Sequence, residues 1–407
     1  MIKFKKKRTV DEFESENFLN KIPKRRMKGK SKKIITKKKY FSKKRIKFRI
    51  FFLIIGLIFM IFLVLFIIKI IYSDFYNINE EKTYLKTGTV RFNKKHYLKK
   101  IYNSKFNHIH LAMSFDNDYH LLSSVTIATL LKNASPSTYI HLHIITFRGW
   151  NYTTMVKLNS LKYKINNNTE FIFHNGDKVL KDFGNEIVNE NKGIGEYARL
   201  LAPNFAKEAD RLIITDSADI YFKKDLLELY NYPLEGKFVK GIVDPYTPCF
   251  PDYTFFNKEN YFNGGVLLVD AKLWREMDLY EEIVNLYNGF NYTGTLPTPI
   301  QDILNNFFPS ITVGNLPLRY NLQGYADING NNYPPYNDIY ERDCSKFFNK
   351  KDEIIEEEKN IVIRHTNKFK AYDGDAYDEL RKEWNYYAKL TGFYDEICEK
   401  YSNGCIS

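Results

Sequence analysis

Arg211-Leu-Ile-Ile-Thr-Asp216-Ser217-Ala218-Asp219-Ile-Tyr-Phe222 sets two carboxylates at the end of a short apolar run. Arg211–Thr215 reads as a buried strand, and the carboxylates follow it directly. Hard oxygen ligands in that position suit magnesium or manganese carrying a diphosphate. A turn is the alternative, since Asp and Ser are common in turns. Asp219, however, precedes a second apolar pair, Ile220 and Tyr221, so core flanks it on both sides. That context weighs toward metal binding at Asp216 and Asp219.

Upstream, strand and helix patterns alternate. His108–Met113, Tyr139–Thr146 and Glu170–His174 are short apolar strands, and Tyr119–Leu131, Thr153–Leu161 and Glu196–Phe205 carry helical spacing. The alternation predicts an α/β domain with a mainly parallel, Rossmann-like sheet flanked by helices. Ligands in such sheets bind beyond the carboxyl ends of strands, so the loops after Met113 and Thr215 become the places for chemistry.

Four further segments carry candidate groups. The loop after Met113 holds Asp116 and Tyr119, which could take a ribose and stack on a base; a helix cap is the alternative. Tyr261–Asp270 sets Asn263, Gly264 and Gly265 before an apolar strand, where glycines permit close approach to a ligand or make a bulge. Pro299–Asn305 starts a helix with Gln301 and Asp302 near its N-terminus, either as a site or as a cap. Ile361–Lys370 ends a strand at His365, followed by Lys368 and Lys370. A histidine can complete a metal site, and a lysine can neutralise phosphate.

The chain has 407 residues and a formal net charge of +13. Residues 1–49 hold 21 of the 61 basic residues and only 4 of the 48 acidic ones. From Ile70 onward acidic side chains outnumber basic ones, which gives the body no general reason to bind nucleic acid. The tail 1–49 reads as disordered and cytosolic. Ile50–Ile68 is uncharged and bounded by Arg49 and Lys69. As a helix it would span about 28 Å, close to the hydrocarbon thickness of a bilayer. A cleaved signal peptide fits less well, because the span is long and lies far into the chain.

Residues 50–71 are therefore expected to be a single transmembrane helix of type II topology, with 72–105 a stem and the rest in the lumen of the Golgi or endoplasmic reticulum. All four cysteines (Cys249, Cys344, Cys398 and Cys405) follow the span, with pairing open. Acceptor sequons fall at Asn133, Asn151, Asn167 and Asn291.

Taken in order, these segments resemble glycosyltransferase family 8, the group of glycogenin and the bacterial lipopolysaccharide galactosyltransferases. The series is Asp116…Tyr119, Glu196-Tyr-Ala-Arg199-Leu, Asp216…Asp219, Tyr261-Phe-Asn263-Gly-Gly265-Val, Gln301-Asp302-Ile-Leu-Asn305, and His365 followed by lysine. The resemblance covers about 106–394, leaving 395–407 as a C-terminal tail. It implies the GT-A nucleotide-sugar fold and a retaining transfer from a UDP-sugar to a glycan, glycoprotein or glycolipid acceptor, with Mn2+ under the diphosphate.

Carried over, Asp116 and Tyr119 would hold uridine and ribose, and Arg199 would sit near the donor sugar. Asp219 and His365 would bind the metal, with Asp216 at the metal or the ribose. Lys368 or Lys370 would contact phosphate, and Asn263, Gly264 and Gly265 would line the sugar pocket. Gln301 would lie on the sugar face beside the reacting carbon, with Asp302 next to it. The chain departs from the family pattern in three places. The carboxylates are one residue further apart than Asp-x-Asp, Ile300 stands where an Asp often precedes the Gln, and the ending after His365 lacks the usual Gly, Pro and Trp. These departures speak for a rival reading, a catalytically inactive lumenal scaffold of the same fold, and the joint retention of Asp219, Asn263, Gln301 and His365 speaks against it.

Overall fold

The computed structural model describes residues 53–67, 89–91, 105–149, 151–183, 194–244, 261–289, 299–308, 313–323, 356–366, 370–372 and 378–405. They divide into two units, one within Met1–Phe75 and one within Tyr76–Ser407. In the first, 53–67 is helical, and its large apolar side chains are exposed. Among the described residues no helix is long and apolar enough to cross a membrane. The tail 1–49, Cys249, Cys344, Asn291 and Lys368 lie outside the described residues.

The second unit is built on an eight-stranded sheet. Its strands are β1 (Thr89–Arg91), β2 (Asn107–Ser114), β3 (Thr138–Thr146), β4 (Thr169–Asn175), β5 (Arg211–Thr215), β7 (Val239–Val243), β8 (Phe262–Asp270) and β9 (Val313–Asn315). Their order is β1-β4-β3-β2-β5-β8-β7-β9. The four central strands β4, β3, β2 and β5 are parallel, as the strand–helix alternation predicts. Beyond them the sheet is mixed, because β8 runs antiparallel to both β5 and β7. A small sheet joins β6 (Ile220–Phe222), β11 (Ile363–His365) and β10 (Leu322–Gln323).

Period-2 alternation sorts the strand residues between two cores. Ile109, Leu111, Met113, Ile140, Leu142 and Ile144 face one core with helices α1 (His120–Asn133), α2 (Tyr152–Lys164) and α4 (Asp378–Thr391). Ala112, Ile145, Leu212 and Ile214 face the other, with α3 (Pro299–Phe307). Helix α1 is buried from Leu121 through Leu131, and two of its hydroxyls find acceptors on the helix itself. Ser124 donates to Leu121 O at 2.5 Å and Thr129 to Thr126 O at 2.7 Å. Asn133 donates to Phe222 O at 2.9 Å and to Tyr387 Oη at 2.8 Å, tying α1 to the small sheet and to α4. This sequon asparagine is thus engaged in packing.

Two boundaries differ from the sequence reading. β1 lies within the expected stem yet pairs with β4, because a three-residue edge strand carries too little periodicity to register. The expected C-terminal tail is part of the body. Helix α5 (Tyr394–Lys400) buries Ile397, Cys398 and Cys405 are disulfide-bonded, and Gly404 packs against Trp384 and the Ala371–Tyr372 backbone.

Lys162 on α2 is fully buried, and among the described residues its Nζ meets no hydrogen-bond partner. Burial pushes its ammonium down to about 8, against the attraction of Glu170. Between that value and the ordinary lysine range the unfolded chain holds a proton that the folded chain has given up. Stability therefore rises with pH across that window, and the full cost stands below it. That cost is roughly 3 kcal/mol. Lys162→Met is expected to stabilise the protein at pH 7 by up to that amount and to flatten the dependence between pH 8 and 10. Denaturant midpoints across that range check it, and an unchanged midpoint at pH 7 would refute it.

Candidate active site

The site forms where the two sheets meet. β5 and β8 pair so that Thr215 opposes Val266, which sets Asp216 beside Gly265; Asp216 N donates to Gly265 O at 2.8 Å. β6 and β11 pair so that Ile220 opposes His365, which sets Asp219 beside Thr366; Thr366 N donates to Asp219 O at 2.8 Å. The four-residue link Asp216–Asp219 thus runs from the large sheet to the small one. Its two ends converge on one imidazole. His365 Nε2 lies 3.5 Å from Asp216 Oδ2 and 3.7 Å from Asp219 Oδ1. One donor atom from each of the three lies within 4.8 Å of the others. The longer spacing is absorbed in this link, where Ser217 Oγ donates to Ser114 O at 3.1 Å.

The charges are mutually held. Arg199 Nη1 is 2.6 Å from Asp216 Oδ1 and donates to Gly264 O at 3.0 Å. Lys370 Nζ is 3.4 Å from Asp219 Oδ2. Burial opposes ionisation of Asp219, but His365 and Lys370 outweigh it and hold the carboxyl below the ordinary range. Burial likewise opposes protonation of His365, and Asp219 with Asp216 outweighs it, so its pKa is raised. Lys370 is raised for the same reason, burial being overcome chiefly by Asp219.

Behind the triad runs a buried amide network. His365 Nδ1 donates to Asn321 Oδ1 at 3.0 Å, which leaves Nε2 to face the carboxylates once it is deprotonated. Asn321 donates to Asn263 Oδ1 at 2.8 Å, and Gly265 N donates to the same oxygen at 2.8 Å. Asn263 Nδ2 reaches Asp244 Oδ2 at 3.1 Å and Gln301 Oε1 at 3.2 Å. Gln301 Nε2 donates to Asp244 at 2.8 Å, while its Oε1 accepts from Gly264 N at 2.9 Å. One hydrogen-bonded path therefore joins Gln301 to His365. Two carboxylates and an imidazole whose other nitrogen is already engaged make a donor set that fits a divalent cation.

A pocket opens beside the triad at the carboxyl ends of β2 and β5, lined by Phe115, Asp116, Tyr119, Glu196, Arg199, Asp216, Asp219 and Lys370. Asp116 both lines it and caps the turn into α1, accepting from Asp118 N at 2.9 Å and Tyr119 N at 3.3 Å. Tyr119 is half exposed there. Burial pushes the Glu196 carboxyl up against the pull of Arg199, although its side chain keeps water contact through the pocket.

Asp302 follows Gln301 on α3. It is fully buried and accepts a hydrogen bond from Tyr261 Oη, so it positions the strand that carries Asn263. Adjacent helix residues point about 100° apart, which separates it from Gln301. Asp244 and Asn321 are the groups that sequence reading missed. Asp244 has a weak signal, since it directly follows the strand residues Ile242 and Val243 much as Asp216 follows its own strand. Asn321 has none.

A mixed sheet of this order, with the acidic and imidazole donors at its switch from parallel to antiparallel strands, is a GT-A-like fold. The model of "Glycosyl transferase family 8" matches residues 110–372, and the chain belongs to that family. It is 26% identical over 197 residues to a probable galacturonosyltransferase-like 9 of Arabidopsis thaliana, covering 43% of this chain and 49% of the relative. It is 24% identical over 207 residues to a lipopolysaccharide 1,2-glucosyltransferase of Escherichia coli, covering 49% and 58%. The chain thus spans about half the length of these curated relatives. Among solved structures, the galactosyltransferase LgtC in complex with donor and acceptor sugar analogs superposes with a TM-score of 0.51 at 18% identity, covering 70% of this chain and 95% of that one. The apo WbbM bifunctional glycosyltransferase gives 0.55 at 18%, covering 72% and 52%. At such identities these likenesses establish the fold alone.

Proposed function

We propose that the chain is a retaining glycosyltransferase that moves a hexose or related sugar from a UDP-sugar to a glycan, glycoprotein or glycolipid acceptor. The observation that carries this reading is the convergence of Asp216, Asp219 and His365 beside a pocket bordered by Asp116 and Tyr119. The three would hold a divalent cation of the manganese class, which when bound supplies positive charge to the leaving diphosphate. Lys370, and Lys368 two residues before it, add positive charge for the phosphates. Asp116 and Tyr119 hold the uridine and ribose.

Arg199 holds Asp216 and the Gly264 carbonyl in place, next to the donor sugar. Asn263, Gly264, Gly265 and Gln301 form the wall against which the sugar lies, and Asp244 fixes both amides. The names of the relatives, which cite galacturonosyl and glucosyl transfer, support a hexosyl donor. The basic tail and the uncharged span 50–68 support a type II anchor with the body in the Golgi or endoplasmic reticulum lumen.

The test is calorimetric titration of UDP into the full-length chain with and without manganese, followed by turnover of a panel of UDP-sugars. Manganese-dependent UDP binding together with turnover of one donor is expected. Gln301→Ala should keep UDP binding and lose about 100-fold or more in turnover, the scale of losing one preorganised polar contact. Absence of UDP binding under either condition would overturn the reading in favour of an inactive scaffold.

A further inference from the structure

The strands that open the fold place five of the chain's eight histidines on one face of the sheet, away from Ile109, Leu111, Ile140 and Leu142. They are His108 and His110 on β2, His141 and His143 on β3, and His174 on β4, with Glu170. Strand register puts His110 against His141 and His141 against Glu170. Two ring-to-ring relays result. His108 Nδ1 lies 3.0 Å from His141 Nε2, whose Nδ1 is 3.1 Å from Glu170 Oε2. His110 Nδ1 lies 3.1 Å from His143 Nε2; His143 Nδ1 is 3.0 Å from His174 Nε2, and His174 Nδ1 is 3.3 Å from Thr89 Oγ1.

The glycosyl-transfer site uses none of these groups. His110 stands four residues before Ser114, about 13 Å back along the strand. The second relay begins at His110, and a carboxylate lies near that end. His110, His143 and Glu208 each offer one donor atom within 4.8 Å of the others. His110 and His143 are buried, while Glu208 is exposed in the turn between the helix Ala202–Phe205 and β5.

We propose that His110, His143 and Glu208 form a second metal site, of zinc type, that pins this turn to β2 and β3. Two ring nitrogens 3.1 Å apart sit close to the spacing that one tetrahedral ion imposes. At zinc–nitrogen bonds of 2.0–2.1 Å that spacing is about 3.3 Å. Glu208, on the surface, can close the remaining gap by a change of rotamer. The proton balance also works. When His143 Nε2 becomes a ligand, its hydrogen moves to Nδ1 and is donated to His174 Nε2, and the hydrogen of His174 moves to Nδ1 and is donated to Thr89 Oγ1. Every imidazole stays neutral and no proton leaves. His174 then acts as the outer partner that orients a metal-bound histidine. Two imidazoles and one carboxylate favour zinc over magnesium or manganese, the reverse of the preference at Asp216 and Asp219.

The test uses the full-length chain carrying Asp216→Asn and Asp219→Asn, which silences the first triad. Zinc is titrated against a chromophoric chelator, and cobalt is used as the optical probe. One equivalent of zinc is expected, with the intense visible bands of tetrahedral cobalt and no displacement by manganese. Adding Glu208→Ala, a substitution at an exposed turn position, should weaken zinc about 100-fold or more. His143→Gln should remove the cobalt bands. If the silenced chain takes up no zinc, or takes it up with an affinity that Glu208→Ala does not change, the proposal is overturned.

Discussion

Asp219→Asn is expected to remove cation-dependent UDP binding and, with it, turnover, while the protein stays folded. The substitution keeps shape and deletes one charge from the point where His365 and Lys370 converge. Losing a partner behind a ligand costs 10- to 100-fold in metal affinity, so losing the ligand itself should cost at least about 100-fold. Calorimetry with manganese, against the wild type at equal pH, reads this directly; manganese binding of wild-type strength in the variant would remove Asp219 from the site.

A second signature follows from His365, whose pKa is raised by Asp219 and Asp216 against the effect of burial. A cation must displace that proton, so wild-type affinity should weaken as pH falls through the raised value and should release a proton on binding below it. In Asp219→Asn part of the elevation is gone, and the pH dependence should move to lower pH. Asp219 contributes to stability in the opposite sense to a raised base. Its depressed carboxyl favours the metal-free fold above the ordinary carboxylate range, and this contribution is lost as pH falls.

Gly265→Ala is expected to do comparable damage through packing alone. A Cβ there would crowd His365 Cε1 and stand 2.7 Å from Asp216 Oδ2 and 2.8 Å from His365 Nδ1. Neither neighbour can yield cheaply, because Arg199 holds Asp216 and Asn321 holds His365. Overpacking of this kind costs about 1–3 kcal/mol. Manganese affinity should fall with it, since the methyl occupies the space that brings imidazole and carboxylate together. Gly264→Ala is the control, because its Cβ would meet nothing closer than Gln301 at 3.8 Å. Melting temperature and manganese affinity measured on both variants separate the cases. Equal behaviour of the two would mean that the close approach at Gly265 is not needed.

The first half of the fold could be read from the sequence because β2, β3 and β4 are strand patterns of seven to nine residues, each followed by a helix. In the second half the strand before Asp270, the helix from Pro299 and the strand ending at His365 could be read, but not their pairing, because β8 enters antiparallel and the small sheet is assembled from pieces of two and three residues. The triad was legible, since each member ends or follows an apolar run. The network behind it was less so. Asn321 is an asparagine among asparagines, and only the fold brings it to His365. The histidines of β2, β3 and β4 were visible as letters within strand patterns. Their mutual contact depends on a register that one strand alone does not carry.

The small sheet has a consequence in time. It draws β6, β10 and β11 from 220–222, 322–323 and 363–365. During synthesis from the N-terminus, Asp216 and Asp219 emerge long before His365, Asn321 or Lys370. At 5–20 residues per second the delay is roughly 7–30 s. For that interval the large sheet can form through β5, but the acidic pair has only Arg199 from upstream to balance it. The cation site is therefore among the last features the nascent chain can complete, and a product truncated between Phe222 and His365 would contain all four parallel strands while lacking the site.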